Sequence, residues 1–139
     1  MELTAHTDGA SRGNPGPAAF AYTIEKDGAI IEEHAEYIGK TTNNIAEYTA
    51  FLAVIKRMKS LGAGEITIYS DSELAVRQIN GLYRVKNAGL FPLYQEIMTL
   101  SHEFALFRVI HIRREKNILA DKLANAALDK QKEKEISEE

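Results

Sequence analysis

A two-residue turn, Asp27-Gly28, separates two segments that both have β-strand character. The segment before it, residues 18–26, alternates aromatic or aliphatic residues with smaller ones, and the segment after it spans residues 29–38. Asp-Gly between two such runs is a strong signal for a tight hairpin. A further strand-type run, residues 2–7, precedes both segments. We therefore predict that the chain begins with three antiparallel strands.

Helix-type and strand-type patterns alternate along the rest of the chain. Apolar residues recur at helical spacing between Ile45 and Met58, which predicts a helix with one buried face. The predicted helices span residues 45–60, 72–80, 92–104 and 118–130, and the predicted strands span 65–70 and 106–112. This order predicts an α/β fold with a five-stranded mixed sheet, three antiparallel strands then two parallel ones, and helices on both faces.

The length of 139 residues is typical of one domain, which we place at residues 1–130. Residues 131–139 are highly charged and are predicted to be frayed or disordered. No apolar run approaches the ~20 residues of a membrane span, so no membrane partner is expected. The absence of cysteine excludes disulfides, thiolate zinc sites and cysteine nucleophiles, and fits a cytoplasmic location. We expect a monomer.

Four carboxylates fall where a strand ends or a helix begins. Asp8 and Asp71 each follow a strand-type run, Glu47 lies early in the first predicted helix, and Asp121 lies early in the last. If the two strands are parallel neighbours, Asp8 and Asp71 emerge at one edge of the sheet. Helix N-termini can share that edge. We predict that the four carboxylates meet in one pocket.

Carboxylates gathered in one pocket raise one another's pKa and are stable together mainly when cations lie among them. Oxygen ligands without histidine or cysteine favour Mg²⁺, with Mn²⁺ as the alternative. Two such ions, ~4 Å apart, are used by enzymes for in-line displacement at phosphate. The four acids therefore indicate a site for two divalent cations and phosphodiester chemistry.

Taken singly, each acid also fits a structural role. Asp71 fits a helix N-cap, Glu47 fits a capping-box acid three positions after Asn44, and Asp121 fits a solvent-facing helix position. Asn43 or Asn44 is predicted to cap the first helix and Asn117 the last. The turn after Asp8 has glycines at positions 9, 13 and 16, which are predicted to adopt positive φ or to leave room for another molecule.

Together these stretches resemble the type 1 ribonucleases H. The matching segments are Thr7-Asp8-Gly9-Ala10-Ser11, Gly13-Asn14-Pro15-Gly16, Thr42-Asn43-Asn44, Ala46-Glu47, Ser70-Asp71-Ser72, Asn117 and Ala120-Asp121. The resemblance covers roughly residues 2–128 and implies the ribonuclease H-like fold. It also implies an endonuclease that cuts the RNA strand of RNA–DNA hybrids with two metal ions, leaving 5′-phosphate and 3′-hydroxyl ends. On this resemblance Asp8, Glu47, Asp71 and Asp121 are the catalytic metal ligands.

The resemblance also assigns contacts with the two strands of the hybrid. Contacts with RNA 2′-hydroxyls match Ser11, Asn14, Asn43 and Asn44. A grip on a DNA-strand phosphate matches Lys40, Thr42 and Asn87. These residue types suit the task, because amides both donate to and accept from a 2′-hydroxyl, and a cation, a hydroxyl and an amide all bind phosphate.

The chain departs from the family pattern at three places. Many members insert a basic protrusion where this chain has only residues 81–84, so we expect weak, salt-sensitive binding of the hybrid. We also expect no added N-terminal hybrid-binding domain. The loop before Asp121 lacks the family's mobile histidine, and we hypothesise that Arg113 or Arg114 contacts the scissile phosphate or leaving group. Glu73, two residues after Asp71 where some relatives have glutamine, is a candidate substrate contact that can accept from a 2′-hydroxyl or a base donor, and it adds negative charge beside the site.

Two other functions remain open at this point. A 3′→5′ exonuclease on the same scaffold would also use clustered acids, although Asn14, Asn43 and Asn44 argue against it. A non-catalytic hybrid-binding module has no need of four convergent acids. The products formed from an end-blocked hybrid distinguish the first alternative, and the cleavage activity of Asp8→Asn distinguishes the second.

Overall fold

The chain folds into five strands and four helices, seen in a computed structural model that describes residues 1–138. The strands are β1 (Glu2–Ser11), β2 (Gly16–Lys26), β3 (Ala29–Thr41), β4 (Glu65–Ser70) and β5 (Leu106–His111). The helices are α1 (Asn43–Ser60), α2 (Glu73–Ile79), α3 (Phe91–Ser101) and α4 (Ile118–Ser137). A short 3₁₀ turn, Arg114–Lys116, precedes α4. Within the same range, no helix combines the length and apolar character needed to cross a bilayer.

The strands form one mixed sheet in the order β3-β2-β1-β4-β5. β2 pairs antiparallel with both β1 and β3, whereas β4 pairs parallel with both β1 and β5. This arrangement confirms the predicted sheet of three antiparallel strands followed by two parallel ones. The ladder between β1 and β4 ends at the pair Thr7–Ser70, so Asp8 and Asp71 are the next residues at that end of the sheet.

β1 is longer than the sequence predicted. It continues to Ser11 by pairing with β2, so Asp8 lies inside a strand and pairs with Ala21 instead of ending the strand. Only the ladder with β4 stops before Asp8. The carboxylate is therefore fixed by a paired backbone on one side and faces the open end of the parallel ladder on the other.

Helices cover both faces of the sheet. Neighbouring residues of a strand point to opposite faces, so residues of one strand can pack against helices on either side. Leu3 and Ala5 of β1 are fully buried in the main core together with Phe51 of α1. His6, the next residue of β1, instead borders a small cavity beside Ala120 of α4. α1 and α4 therefore pack on opposite faces, as the element order predicted.

The close packing of α1 on β1 depends on Gly9, the residue after Asp8. A Cβ at Gly9 would lie 2.3 Å from the backbone nitrogen of Glu47 and 2.4 Å from the carbonyl carbon of Ala46. The sequence predicted that Gly9 adopts positive φ or makes room for another molecule. It instead makes room for α1, and within this turn Gly13 has the positive φ, 97°.

The N-terminus of α1 is capped by Thr42, so the prediction of Asn43 or Asn44 as the cap is wrong. The Thr42 side chain accepts a hydrogen bond from the backbone N–H of Ile45 at 3.2 Å. The backbone N–H of Asn43 donates to the Asn14 side chain at 3.0 Å. Because other residues satisfy these N–H groups, the side chains of Asn43 and Asn44 are not used as caps.

α4 extends to Ser137, well beyond the predicted end near Lys130. Residues 131–137 contain no glycine or proline and are rich in lysine and glutamate, which favour helices. The Gln131 side chain also donates to Glu135 one turn later, at 3.2 Å. The structure thus differs from the predicted disordered tail over residues 131–137, and Glu139 lies outside the described residues.

We predict that Gly9→Ala lowers the free energy of unfolding by about 1–3 kcal/mol, because the new methyl group overpacks two backbone segments. Urea unfolding followed by circular dichroism measures the change. Gly64→Ala is the matched control, since Gly64 has no positive φ and a Cβ there meets no atom of residues 1–138 within 4 Å. Equal stability of the two variants would contradict the proposed contact.

Candidate active site

Three carboxylates meet at the open end of the β1–β4 ladder. One oxygen each from Asp8, Glu47 and Asp71 lies within 4.8 Å of the other two. Asp8 comes from β1, Asp71 directly follows β4, and Glu47 lies in the second turn of α1. Asp121, in the first turn of α4, lines the same cleft. The fold thus brings together the four acids that the sequence singled out.

Two of these acids are withdrawn from water. The exposed fractions of Asp8 and Glu47 are 4% and 3%. Asp8 Oδ2 and Glu47 Oε2 are buried, and neither has a hydrogen-bond partner within residues 1–138. Unpartnered buried carboxylate oxygens are costly unless a cation or a proton compensates them. A set of carboxylate oxygens, two of which lack a hydrogen-bond partner within residues 1–138, fits a hard divalent cation.

Burial and mutual repulsion hold protons on the acids when no cation is bound. Burial, with smaller contributions from the charges of Asp71 and Asp121, raises the pKa of Asp8 to about 8. Burial, followed by the charges of Asp8 and Asp71, raises the pKa of Glu47 well above its ordinary value. The Arg114 guanidinium acts in the opposite direction on the pKa of Asp8. The cluster therefore disfavours full ionisation at neutral pH.

Asn117, at the start of α4, connects this helix to the ends of β1 and β4 at the cleft. Its side chain is 1% exposed, and Nδ2 donates to the Thr7 carbonyl at 2.8 Å. A hydrogen bond from Asn117 also lowers the pKa of Asp71, which burial otherwise raises. Asn117 is the N-cap residue of α4, as predicted, although within the described chain its side chain makes no capping hydrogen bond. Asn117 instead ties the start of α4 to the end of the β1–β4 ladder.

The acids lie in a cleft of about 490 Å³. The other residues that line it are Gly9, Ala10, Ser11, Asn43, Ser72, Arg114 and Asn125. Three of the sequence-predicted substrate contacts are among them, namely Ser11, Asn43 and Arg114. The cleft thus combines a carboxylate floor with hydroxyl, amide and guanidinium groups around it.

Comparisons with known proteins agree with this geometry. A family model described as "Reverse transcriptase-like" matches residues 6–127. A bifunctional protein of Mycobacterium tuberculosis is 36% identical over 131 residues, 93% of this chain and 36% of that protein. Ribonuclease HI of Halobacterium salinarum is 38% identical over 126 residues, 90% of this chain and 63% of that protein. The chain therefore spans between about a third and two thirds of the length of these curated relatives.

Solved structures match over nearly their whole length. The crystal structure of RNase H1 from Halobacterium salinarum is 37% identical with a TM-score of 0.90, covering 94% of this chain and 99% of that chain. The chain belongs to the type 1 ribonuclease H family. LC11-RNase H1, solved in complex with an RNA/DNA hybrid, is 38% identical with a TM-score of 0.87, covering 93% of this chain and 98% of that chain.

The DNA-phosphate contacts that the ribonuclease H resemblance assigns lie near one end of α1. Lys40 is exposed near the end of β3, and Thr42 caps α1. The Asn87 side-chain oxygen accepts from the backbone N–H groups of Gly89 at 2.7 Å and of Leu90 at 3.2 Å. A Cβ at Gly89 would lie 3.7 Å from the side chain of Ile45, in the first turn of α1. The loop that carries Asn87 therefore packs beside the helix end that Thr42 caps.

The remaining predicted contacts lie around the cleft rather than in its lining. Asn14 holds the backbone of Asn43, and Asn44 is the second residue of α1. Glu73 begins α2 and is paired with Arg77 at 2.8 Å.

The structure distinguishes the two arginines of the loop before α4. Arg114 lines the cleft, and its charge lowers the pKa of both Asp8 and Asp71. Arg113 is exposed and precedes the 3₁₀ turn, and it is not among the residues that line the cleft. Arg114, rather than Arg113, therefore lies in the cleft with the four acids.

Sequence reasoning missed Asn125, which lines the cleft from α4. Its side chain donates to Asp121, one helical turn earlier. The signal was present, since residues four apart on a helix lie on the same face. Ser72 caps α2 and also lines the cleft.

We predict that the stability of the metal-free protein falls as the pH rises from about 4 to about 8. Asp8 has an ordinary pKa of 3.8 and a folded-state pKa of about 8. Between these values the folded state holds a proton that the unfolded chain has released, so the free energy of unfolding decreases with pH. Urea unfolding in chelator at pH 5, 7 and 9 measures the profile.

Asp8→Asn is expected to flatten that profile, whereas Asp27→Asn, in the exposed hairpin turn, is expected to leave it intact. A wild-type protein that becomes more stable from pH 5 to pH 9 in chelator would show that the acids are not buried together.

Proposed function

We propose that the protein is an endonuclease that hydrolyses the RNA strand of RNA–DNA hybrids and leaves 5′-phosphate and 3′-hydroxyl ends. The observation that carries the proposal is the convergence of four acids, two of them with buried unpartnered oxygens, at the end of the β1–β4 ladder. Membership of the type 1 ribonuclease H family supports the reaction class. The RNA/DNA hybrid bound to LC11-RNase H1 supports the substrate class.

The four acids would hold two divalent cations, which we propose to be Mg²⁺ with Mn²⁺ as an alternative. Asp8, Glu47 and Asp71 are close enough to share one ion, and Asp121 extends the same acidic floor toward α4. When bound, such ions activate a water molecule and stabilise the leaving oxygen at phosphorus. The carboxylates contribute by staying ionised, which the cation charge makes favourable despite their burial.

Residues around the acids would recognise the RNA strand. Asn43 lines the cleft with an exposed side chain whose amide both donates and accepts. Ser11 lines the same cleft near the end of β1. A 2′-hydroxyl both donates and accepts, so contacts with Ser11 and Asn43 would distinguish RNA from DNA.

Residues beside α1 would hold the DNA strand. The Thr42 oxygen accepts the capping hydrogen bond, which leaves its hydroxyl proton able to donate to a phosphate. The Asn87 oxygen is occupied by two backbone N–H groups, which leaves its amide N–H₂ as the donor. With the Lys40 charge nearby in β3, these groups would bind a phosphate of the DNA strand.

Cleavage of a labelled hybrid in Mg²⁺ tests the proposal directly. We expect internal cuts in an end-blocked hybrid and products with 5′-phosphate and 3′-hydroxyl ends, whereas an exonuclease would leave that substrate intact. Asp8→Asn is expected to lower turnover by about 1,000-fold or more, because it removes a proposed metal ligand. Each tenfold loss of rate corresponds to about 1.4 kcal/mol of lost transition-state stabilisation. Asp27→Asn should match wild type.

Hybrid binding and cleavage, measured on the same variant, distinguish an enzyme from a non-catalytic binding module. Asp8→Asn is expected to bind the hybrid while failing to cut it. Hybrid cleavage by Asp8→Asn at the wild-type rate, or wild-type cleavage that continues in excess chelator, would refute the proposed chemistry.

The two arginines give a second test. Arg114→Ala is expected to lower kcat by about 10- to 100-fold, because a positive charge close to the reacting phosphate is removed from a partly desolvated site. Arg113→Ala, one residue away and outside the cleft lining, is the matched control and should change kcat less than threefold. Unchanged turnover in both alanine variants would rule out a role for this loop.

The salt dependence of hybrid binding tests the expected effect of the missing protrusion. With only residues 81–84 in that place, we expect the affinity for the hybrid to fall steeply between ~50 and ~200 mM salt, because phosphate contacts release counterions. Fluorescence anisotropy with the Asp8→Asn protein and a labelled hybrid measures the slope. An affinity that barely changes over this range would contradict the expectation.

A further inference from the structure

We propose that Asn125 is a positioning residue that holds the Asp121 carboxylate toward the other three acids and thereby sets the affinity for divalent cations. The proposal rests on the proposed metal-dependent function. It assigns a task to a residue that lies outside the four acids.

Asn125 is placed to act on Asp121 from within the same helix. It lies one turn after Asp121 in α4, is half-buried, and lines the cleft. Its Nδ2 group donates to the Asp121 side-chain oxygen Oδ1 at 3.3 Å and to the Asp121 carbonyl at 3.0 Å. The amide therefore restrains both the carboxylate and the backbone of the same residue.

Asp121 needs such a restraint more than the other acids do. Asp8, Glu47 and Asp71 have oxygens within 4.8 Å of one another, and Asp121 is outside this group. Its charge is nevertheless close enough to raise the pKa of Asp8. Because Asp121 is only half-buried, its side chain has room to rotate toward solvent. A donated hydrogen bond from Asn125 opposes that rotation.

Asn125 is itself anchored to the strand that carries Asp8. The Arg12 guanidinium, just beyond the end of β1, donates to the Asn125 carbonyl at 3.4 Å and to the Asp129 carboxylate at 2.6 Å. The second turn of α4 is thus tied to the sheet on the side of the cleft. The amide of Asn125 is therefore presented from a fixed position.

Residues that orient a metal ligand without touching the metal typically change metal affinity by 10- to 100-fold when they are removed. The structure therefore predicts a specific loss in Asn125 variants. The ion that depends on Asp121 should bind more weakly, whereas the ion held by Asp8, Glu47 and Asp71 should bind as before.

The test uses the full chain with Asn125→Leu, which keeps the branching and the number of heavy atoms of the side chain without the donor. Calorimetric titration with Mn²⁺, without nucleic acid, is expected to show the weaker of two sites weakened by about tenfold. The Mn²⁺ concentration for half-maximal hybrid cleavage should rise by a similar factor, with the rate at saturating Mn²⁺ within about threefold of wild type. Asn125→Ala, which adds no bulk, is measured alongside so that poor folding of one variant does not decide the result.

Gln131→Ala is the matched control. Gln131 makes the same type of amide–carboxylate bond, to Glu135 one turn later in α4, on an exposed part of the helix. Its removal should leave the Mn²⁺ titration unchanged. An equal shift in the Gln131 and Asn125 variants would attribute the effect to general loosening of α4 and overturn the proposal.

A double variant identifies the residue through which Asn125 acts. In an Asp121→Asn background, Asn125→Leu is expected to cause no further change in Mn²⁺ affinity. A further tenfold loss there, or wild-type Mn²⁺ affinity in the single variants, would overturn the proposal. Calorimetry decides this without cleavage, whereas absence of hybrid cleavage by the wild type would refute only the proposed function.

Discussion

Repulsion between buried carboxylates is the constraint that the rest of the structure must accommodate. Asp8 and Glu47 are almost inaccessible to water, and Asp71 and Asp121 add negative charge at short range. A flexible surface would relieve this repulsion by letting the side chains move apart. In this fold the acids are fixed by backbone elements that meet at one end of the sheet, so repulsion is relieved by protons or by cations. The unfavourable free energy of holding these negative charges together is the basis of the proposed cation affinity.

The elements that carry the acids are joined by contacts of very different kinds. α1 meets β1 through a backbone contact that only a glycine at position 9 permits. The start of α4 is tied to β1 by the Asn117 amide, and its third turn is tied to the residue that follows β1 by the Arg12–Asp129 ion pair. None of these contacts involves a carboxylate of the four acids, yet together they determine where each carboxylate stands. The site is therefore a property of the packing between elements.

Local patterns were sufficient to predict much of this fold. Alternation and the Asp27-Gly28 turn identified the first three strands, and helical spacing identified α1, because these signals depend on neighbours in sequence. Placement of acids at the ends of β4 and the starts of helices indicated a common edge. Contacts between distant residues were not predictable in the same way. The clash that Gly9 avoids with Glu47, and the hydrogen bond from the Asn117 side chain to Thr7, depend on how elements pack. The length of α4 was underestimated because a charged segment without apolar spacing resembles a disordered tail, although its residues favour helix.

Anomalous diffraction from crystals grown with Mn²⁺ tests the central claim most directly, because it locates the ions without reference to catalysis. The account predicts one manganese peak within bonding distance, ~2 Å, of oxygens from Asp8, Glu47 and Asp71, and a second contacted by Asp121. Manganese peaks located away from Asp8, or the absence of any peak between Asp8 and Asp71 at saturating Mn²⁺, would contradict it.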